Sequence, residues 1–321
     1  MVAMRMAIIV WVAACGGSGG SGASGPFFEQ SMFFNQDVSG RAPASNSATL
    51  IAGLRAGGGW GNGDRMHVDF SFDVLRADAT TPMREFTPTS DFYTPDCDAM
   101  EVPVPVGGNL EGETGYACES GGDCHLIVFD DARGKLYEMW RADLASGFRG
   151  GCLAVWDSKQ VYAETLRGEQ CTSSDAAGLP IAPLLFTADE VKAGEINHAI
   201  RFILPNNRIR KGYVRPATHA TNTTGGANAP YYGVHLRLRA NYPIDSLPSQ
   251  GAKVVARAMQ KYGMYHADGG NIALTAMSDR NTTAKWSGLL APRDLRALKV
   301  EDFEVVDHGA ALSFGYNCVR K

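Results

Sequence analysis

His219 follows Pro216-Ala217-Thr218 at the mouth of a long polar loop, residues 220–230. An imidazole exchanges a proton near neutral pH, so a loop histidine beside strands is the candidate general base. Asp268 sits two residues after His266 in the Gly-rich run Tyr262–Asn271. It is the candidate acid or metal partner, and Gly269-Gly270 would let a ligand approach the backbone closely. Asp157 follows Trp156 at the end of an apolar alternation, where functional side chains often stand. Glu138 and Trp140 share a strand face in this reading. A sugar ring would stack on the indole while the carboxylate accepts hydroxyl protons, and a Glu beside an aromatic can keep a proton. Arg237 lies between His235 and Arg239 on a basic face, and a guanidinium grips a carboxylate through two parallel hydrogen bonds. That face would suit a uronate or a sulfated glycan.

Each residue also has a plainer role. Asp157 can initiate a turn, Glu138 can sit on a rim, Arg237 can guard an edge strand, and Asp268 can open a tight turn. His198, sharing a face with Ile196, Ile200 and Phe202, reads as a hydrogen-bonded core histidine. The polar positions His67, Asp69, Ser71 and Asp73 could line a sugar groove or simply face solvent. No metal ligand set is expected from cysteine spacing. A structural calcium ion is the one cofactor admitted, if Asp96, Asp98 and Asp123 gather around it. No phosphate loop, HExxH or EF-hand loop occurs, and the GxSxG match, Gly16–Gly20, lies in the Gly/Ser run, so the commonest hydrolase and metalloprotease readings have no motif behind them.

These groups must be positioned by a β-rich chain. The sequence has 321 residues, with 37 Gly and 15 Pro, which favours many turns and hence many strands. Alternation predicts strands at 67–75, 125–130, 135–141, 152–157, 196–204, 234–240 and 304–306. Asp131-Ala132-Arg133-Gly134 has the chemistry of a hairpin turn. Helices are expected at 46–56, after the capping box Thr187–Glu190, at 249–262 and at 292–298. Residues 82–122 and 216–230 read as long irregular segments, which in compact domains are often functional. The expected fold is mainly β, a β-sandwich or jelly roll with a few decorating helices; the alternative is two α+β subdomains.

Thirty basic against 34 acidic residues give a net charge of −4, so no nucleic-acid partner is expected. Residues 1–14 read as a signal peptide, with Arg5 ahead of an apolar run too short to span a bilayer. Val12-Ala13-Ala14-Cys15 resembles a bacterial lipobox, which implies cleavage before Cys15 and acylation of that residue. Residues 15–25 are then a lipidated Cys and a Gly/Ser tether, and 26–321 a single globular β-rich domain. The other six cysteines, in an exported chain, suggest disulfides. Six allow 15 pairings; the simplest guess joins Cys118 with Cys124, Cys152 with Cys171 and Cys97 with Cys318.

The runs Gly178–Pro183, Asp189–Val191, His198–Phe202, Tyr213–His219 and Gln260–Asp268 resemble a group of exported bacterial proteins. The resemblance covers residues 33–307 and implies one exported unit after the tether. It carries no activity and no site residue.

The expectation is a lipid-anchored protein of the cell envelope, at the outer membrane or cell surface. Its membrane contact is the anchor, and its partner is a polysaccharide or envelope glycan. It acts as a polysaccharide lyase or glycoside hydrolase through His219, Asp268 and Asp157, with Trp140, Glu138 and Arg237 holding substrate. The alternative is a non-catalytic glycan-binding or structural lipoprotein on the same fold.

Overall fold

The computed structural model describes residues 27–321. The signal peptide, Cys15 and the Gly/Ser tether lie outside the described residues. The chain is mainly β with a few helices, as expected. In chain order the helices are α1 (Ser47–Ala56), α2 (Gly61–Asp64), α3 (Ala188–Ala193) and α4 (Gln250–Lys261). The strands of the two larger sheets are β1 (Val68–Phe72), β2 (Val74–Ala77), β3 (Leu126–Asp130), β4 (Lys135–Met139), β5 (Leu153–Asp157), β6 (Ile200–Leu204), β7 (His235–Leu238), β8 (Met264–Gly269), β9 (Leu274–Met277) and β10 (Phe303–Val305).

The six-stranded sheet has the order β1-β9-β6-β8-β7-β10, with β1 parallel to β9 and β6 parallel to β8. The four-stranded sheet has the order β2-β3-β4-β5. Its β3–β4 hairpin turns as the sequence indicates, with Asp130 opposite Lys135 and Gly134 at φ 62°. One core cluster draws on both sheets: Ile127, Phe129, Leu136 and Trp156 from one, Phe202, Leu204 and Leu274 from the other. The opposite face of the smaller sheet carries Leu126, Val128, Tyr137 and Met139. Val102, Val104 and Leu110 of the 82–122 segment cover it. That long segment is therefore a packed cover, because a sheet apolar on both faces needs one on each side.

Thr187 and Glu190 make the expected capping box, each side chain accepting from the other residue's backbone amide, and Gly194 ends α3 at φ 94°. Ser249 caps α4. Val254, Val255, Ala258 and Met259 of α4 are buried, and the helix packs on β7.

Four local expectations are corrected. The 67–75 alternation is two strands in different sheets. Buried Asp73 separates them, accepting from Ser278 Oγ and from the Arg280 guanidinium at 2.7 Å. Residues 292–298 form turns, not a helix. The Gly-rich run after α4 is strand β8, flanked by β6 and β7. The His235 and Arg237 side chains are buried: His235 stacks on Tyr265 and bonds the Tyr262 carbonyl, and Arg237 is held by Glu304 and the Val38 carbonyl.

The disulfides are Cys97–Cys152, Cys118–Cys124 and Cys171–Cys318. Only the middle pair was the sequence-based guess. The other two exchange partners because the fold brings the 93–98 loop to the start of β5, and the C-terminus to the turn before Thr172. Three disulfides suggest an extracellular or otherwise oxidising environment. Among the described residues no helix is long and apolar enough to cross a membrane.

Candidate active site

A cleft of about 700 Å³ opens beside the two sheets. That lies within the usual range of small-ligand pockets, about 300–1,000 Å³. Its floor comes from three places. Arg201 projects from β6, Asp268 from the neighbouring β8, and Asp175 from the loop after Cys171. Arg201 donates to Asp175 from Nη2 at 2.8 Å, to Asp268 at 3.1 Å, and to Thr275 Oγ1 of β9 at 3.0 Å. Burial works against the Arg201 charge, but Asp175 and then Asp268 outweigh it, and the guanidinium stays protonated.

Asp175 and Asp268 both accept from the Arg201 guanidinium, and burial raises the pKa of each carboxyl. Burial first, and the Asp175 charge second, push the Asp268 carboxyl up to about 7. The Asp175 side chain is wholly enclosed, whereas 29% of the Asp268 side chain is exposed. The carboxyl whose pKa is pushed to about 7 therefore faces the cleft, and the other lies beneath it.

His219 stands on the cleft wall. Its Nδ1 lies 2.7 Å from the Ala176 carbonyl oxygen. A carbonyl only accepts, so Nδ1 carries the hydrogen and Nε2 of the neutral ring has a lone pair. No side-chain or backbone group of the described residues bonds Nε2. Burial holds the His219 pKa below the ordinary value, while the Ala176 hydrogen bond and the Asp96 and Asp268 charges act in the opposite sense.

A second histidine is a different species. His125 Nδ1 lies 2.6 Å from Glu111 Oε2, and Nε2 lies 3.0 Å from the Ser174 carbonyl. Both partners accept, so both nitrogens carry hydrogen. Burial opposes the imidazolium, but Glu111 wins and the pKa rises to about 9. Ser71 Oγ links onward to Asp69 at 2.9 Å, and burial raises the Asp69 pKa.

The rim is aromatic. Tyr93, Trp140 and Tyr316 line it, and Trp140 Nε1 donates to Asp123 at 2.6 Å. Trp140 lies just past the end of β4. There Arg141 takes φ 54° and lays its guanidinium 4.8 Å from the indole centroid.

The fold thus brings His219, Asp268 and Trp140 together, and leaves Asp157, Glu138 and Arg237 outside the cleft. Asp157 is a turn residue that accepts from the Lys159 amide at 3.0 Å and pairs with Lys135. Glu138 is fully buried, taking the Ile181 and Ala182 amides at 2.8 Å each and Trp156 Nε1 at 3.0 Å. Burial raises its pKa to about 7. Arg237 is bound to Glu304 and to the Val38 carbonyl. The sequence reading missed Asp175, Arg201, Glu111 and His125. Arg201 had a signal: a guanidinium inside the apolar run Ile200–Leu204 needs a buried partner.

Asp96, Asp98 and Asp123 do not share an ion site. Asp98 is tied to Arg167 and Arg320, and Asp123 to Trp140. Among the described residues, the two close groups of ligand-type side chains each contain both sulfurs of a disulfide. Such sulfur is not a thiolate and makes no metal site.

Compared with family models, curated proteins and solved structures, the chain matches none of them.

Proposed function

We propose that this chain is an exported carbohydrate-active enzyme that cleaves a glycosidic bond by acid–base catalysis in the 700 Å³ cleft. The observation that supports it is the convergence of a proton-holding carboxyl, Asp268, and an uncommitted imidazole nitrogen, His219 Nε2, under an aromatic rim. Asp268 gives its proton to the departing sugar oxygen. His219 takes a proton from the attacking water, whose oxygen bonds to the anomeric carbon as the glycosidic C–O bond breaks. The indole of Trp140 offers a stacking surface for a sugar ring.

Hydrolysis of an uncharged glycan is favoured over elimination from a uronate. A lyase needs a cation to neutralise the uronate carboxylate. The cations among the described lining residues are Arg201 and the His125 imidazolium, and both are already paired with carboxylates. Nor is a double displacement favoured: it needs a second carboxylate exposed to substrate as nucleophile, and Asp175 is wholly enclosed and held by Arg201. A purely glycan-binding module would use the same rim but has no need of the acid and base beneath it.

The test is reducing-end release across neutral, amino-sugar and uronate polysaccharides. The expected result is release from a neutral glycan, lowered at least about 100-fold by His219→Ala and by Asp268→Asn, in line with the usual weight of a general acid or base. Silence across the panel, or full turnover in both variants, would remove the enzyme reading.

The same proposal includes the anchor, supported by Val12-Ala13-Ala14-Cys15 and the Gly/Ser run after it. Intact mass of the membrane-extracted protein should show an N-terminal Cys15 bearing acyl chains. An unacylated mature protein would contradict it.

A further inference from the structure

Residues 312–321 run along the surface, and Phe314 is the one buried side chain among them. Phe314 sets its ring edge-on against the His219 imidazole, with centroids 4.3 Å apart. Tyr316 lies 4.4 Å from Phe314 and 6.3 Å from His219, and lines the cleft. Its φ of 59° is costly for a bulky side chain, so surrounding ties must hold it.

Most of those ties are slight. Leu312 exchanges backbone hydrogen bonds with Tyr213. The half-buried Gln170 accepts through Oε1 from the Gly315 and Asn317 amides at 2.8 and 3.4 Å. Val319 and Arg320 make a two-residue ladder with Gly168 and Glu169, and Arg320 reaches Asp98. Arg320 also donates to the Asp96 carbonyl and the Lys321 amide to the Arg167 carbonyl; the covalent tie is Cys318 to the buried Cys171, which opens the segment that carries Asp175 into the cleft.

We infer that the C-terminal segment is a disulfide-latched wall of the cleft, and that Phe314 and Tyr316 stand against His219 only when Cys171–Cys318 has formed. In forming it, the two thiols give up two electrons and two protons to a disulfide oxidant, which leaves as a dithiol. The site is then completed only where such an oxidant acts, and remains open in a reducing compartment.

The test follows the His219 imidazole by NMR titration in the full chain, assigned with His219→Gln, alongside chymotrypsin cleavage at Phe314 and Tyr316. It needs no substrate, so it stands apart from the glycan reading. The carboxylates facing His219, Asp96 and Asp268, are kept in every variant. In Cys171→Ser/Cys318→Ser, His219 is expected to titrate closer to the ordinary value of about 6.5, with the tail cleaved early. Phe314→Ala/Tyr316→Ala keeps the disulfide and should move His219 in the same direction. The latch is overturned if the cysteine variant keeps both the parent titration and the protease resistance. It is equally overturned if only the aromatic variant moves His219, or if neither does.

Discussion

Two histidines lining one cleft differ in charge because their hydrogen-bond partners differ. His125 sits between a carboxylate and a carbonyl and is held as an imidazolium; His219 has one carbonyl and an open nitrogen. The consequence for stability can be signed. Burial alone would lower the His125 pKa, yet Glu111 raises it to about 9 in the folded state, against about 6.5 unfolded. Its contribution is therefore complete below pH 6.5 and is lost as pH rises through about 9, on the order of 3 kcal/mol in all. His198, raised by Glu190 against its own burial, acts in the same sense. Asp268 and Glu138 change charge near 7 and add no slope well above it. Denaturant melts between pH 7.5 and 9.5 should show falling stability, with a much shallower slope in His125→Gln. An equally steep slope in that variant would show that the imidazolium is not its source.

At the scale of elements, what the sequence revealed was what local pattern decides. The β3–β4 hairpin, the capping box of α3 and the apolar face of α4 follow from turn chemistry, a cap and a 3.6-residue period, each written within a dozen residues. Strand β8 was hidden because Gly263, Gly269 and Gly270 read as turn residues. Yet Met264–Ala267 is buried between two neighbouring strands, a pairing no local pattern contains. The faces of β4 and β7 were misread for the same reason. Glu138 and Arg237 sit at polar-looking positions, but the first holds the 181–182 backbone against the four-stranded sheet and the second pairs with Glu304 of β10. His219 and Asp268 stood out by residue type in loop-like contexts. Their partners Asp175 and Arg201 did not, since a buried ion pair between residues 26 positions apart leaves no spacing signature.

For the whole molecule, the long segment 82–122 and the C-terminal tail share a role, each closing a face that the sheets leave open. The first covers the outer side of the four-stranded sheet, and the second forms part of the cleft wall. Both are stapled: Cys97 to the start of β5, and Cys318 to the segment bearing Asp175. Such staples restrict the unfolded chain most when they close long loops, here 147 residues for Cys171–Cys318 and 55 for Cys97–Cys152. Sequence distance suggested other partners for both, because only the assembled sheets bring these ends together.

The proposed chemistry requires one protonation state of the cleft: His219 neutral and Asp268 protonated. Raising the pH through the lowered His219 pKa should switch activity on. Raising it further through about 7 should switch it off as Asp268 loses its proton. The deciding measurement is the pH dependence of reducing-end release, kcat/KM from pH 4 to 9, on the polysaccharide of the panel that gives the most release. A bell with its maximum on the acid side of 7, its alkaline limb absent in the residual activity of Asp268→Asn, is the predicted result. A rate that keeps climbing past pH 8, or a parent-like alkaline limb in that variant, would contradict the account.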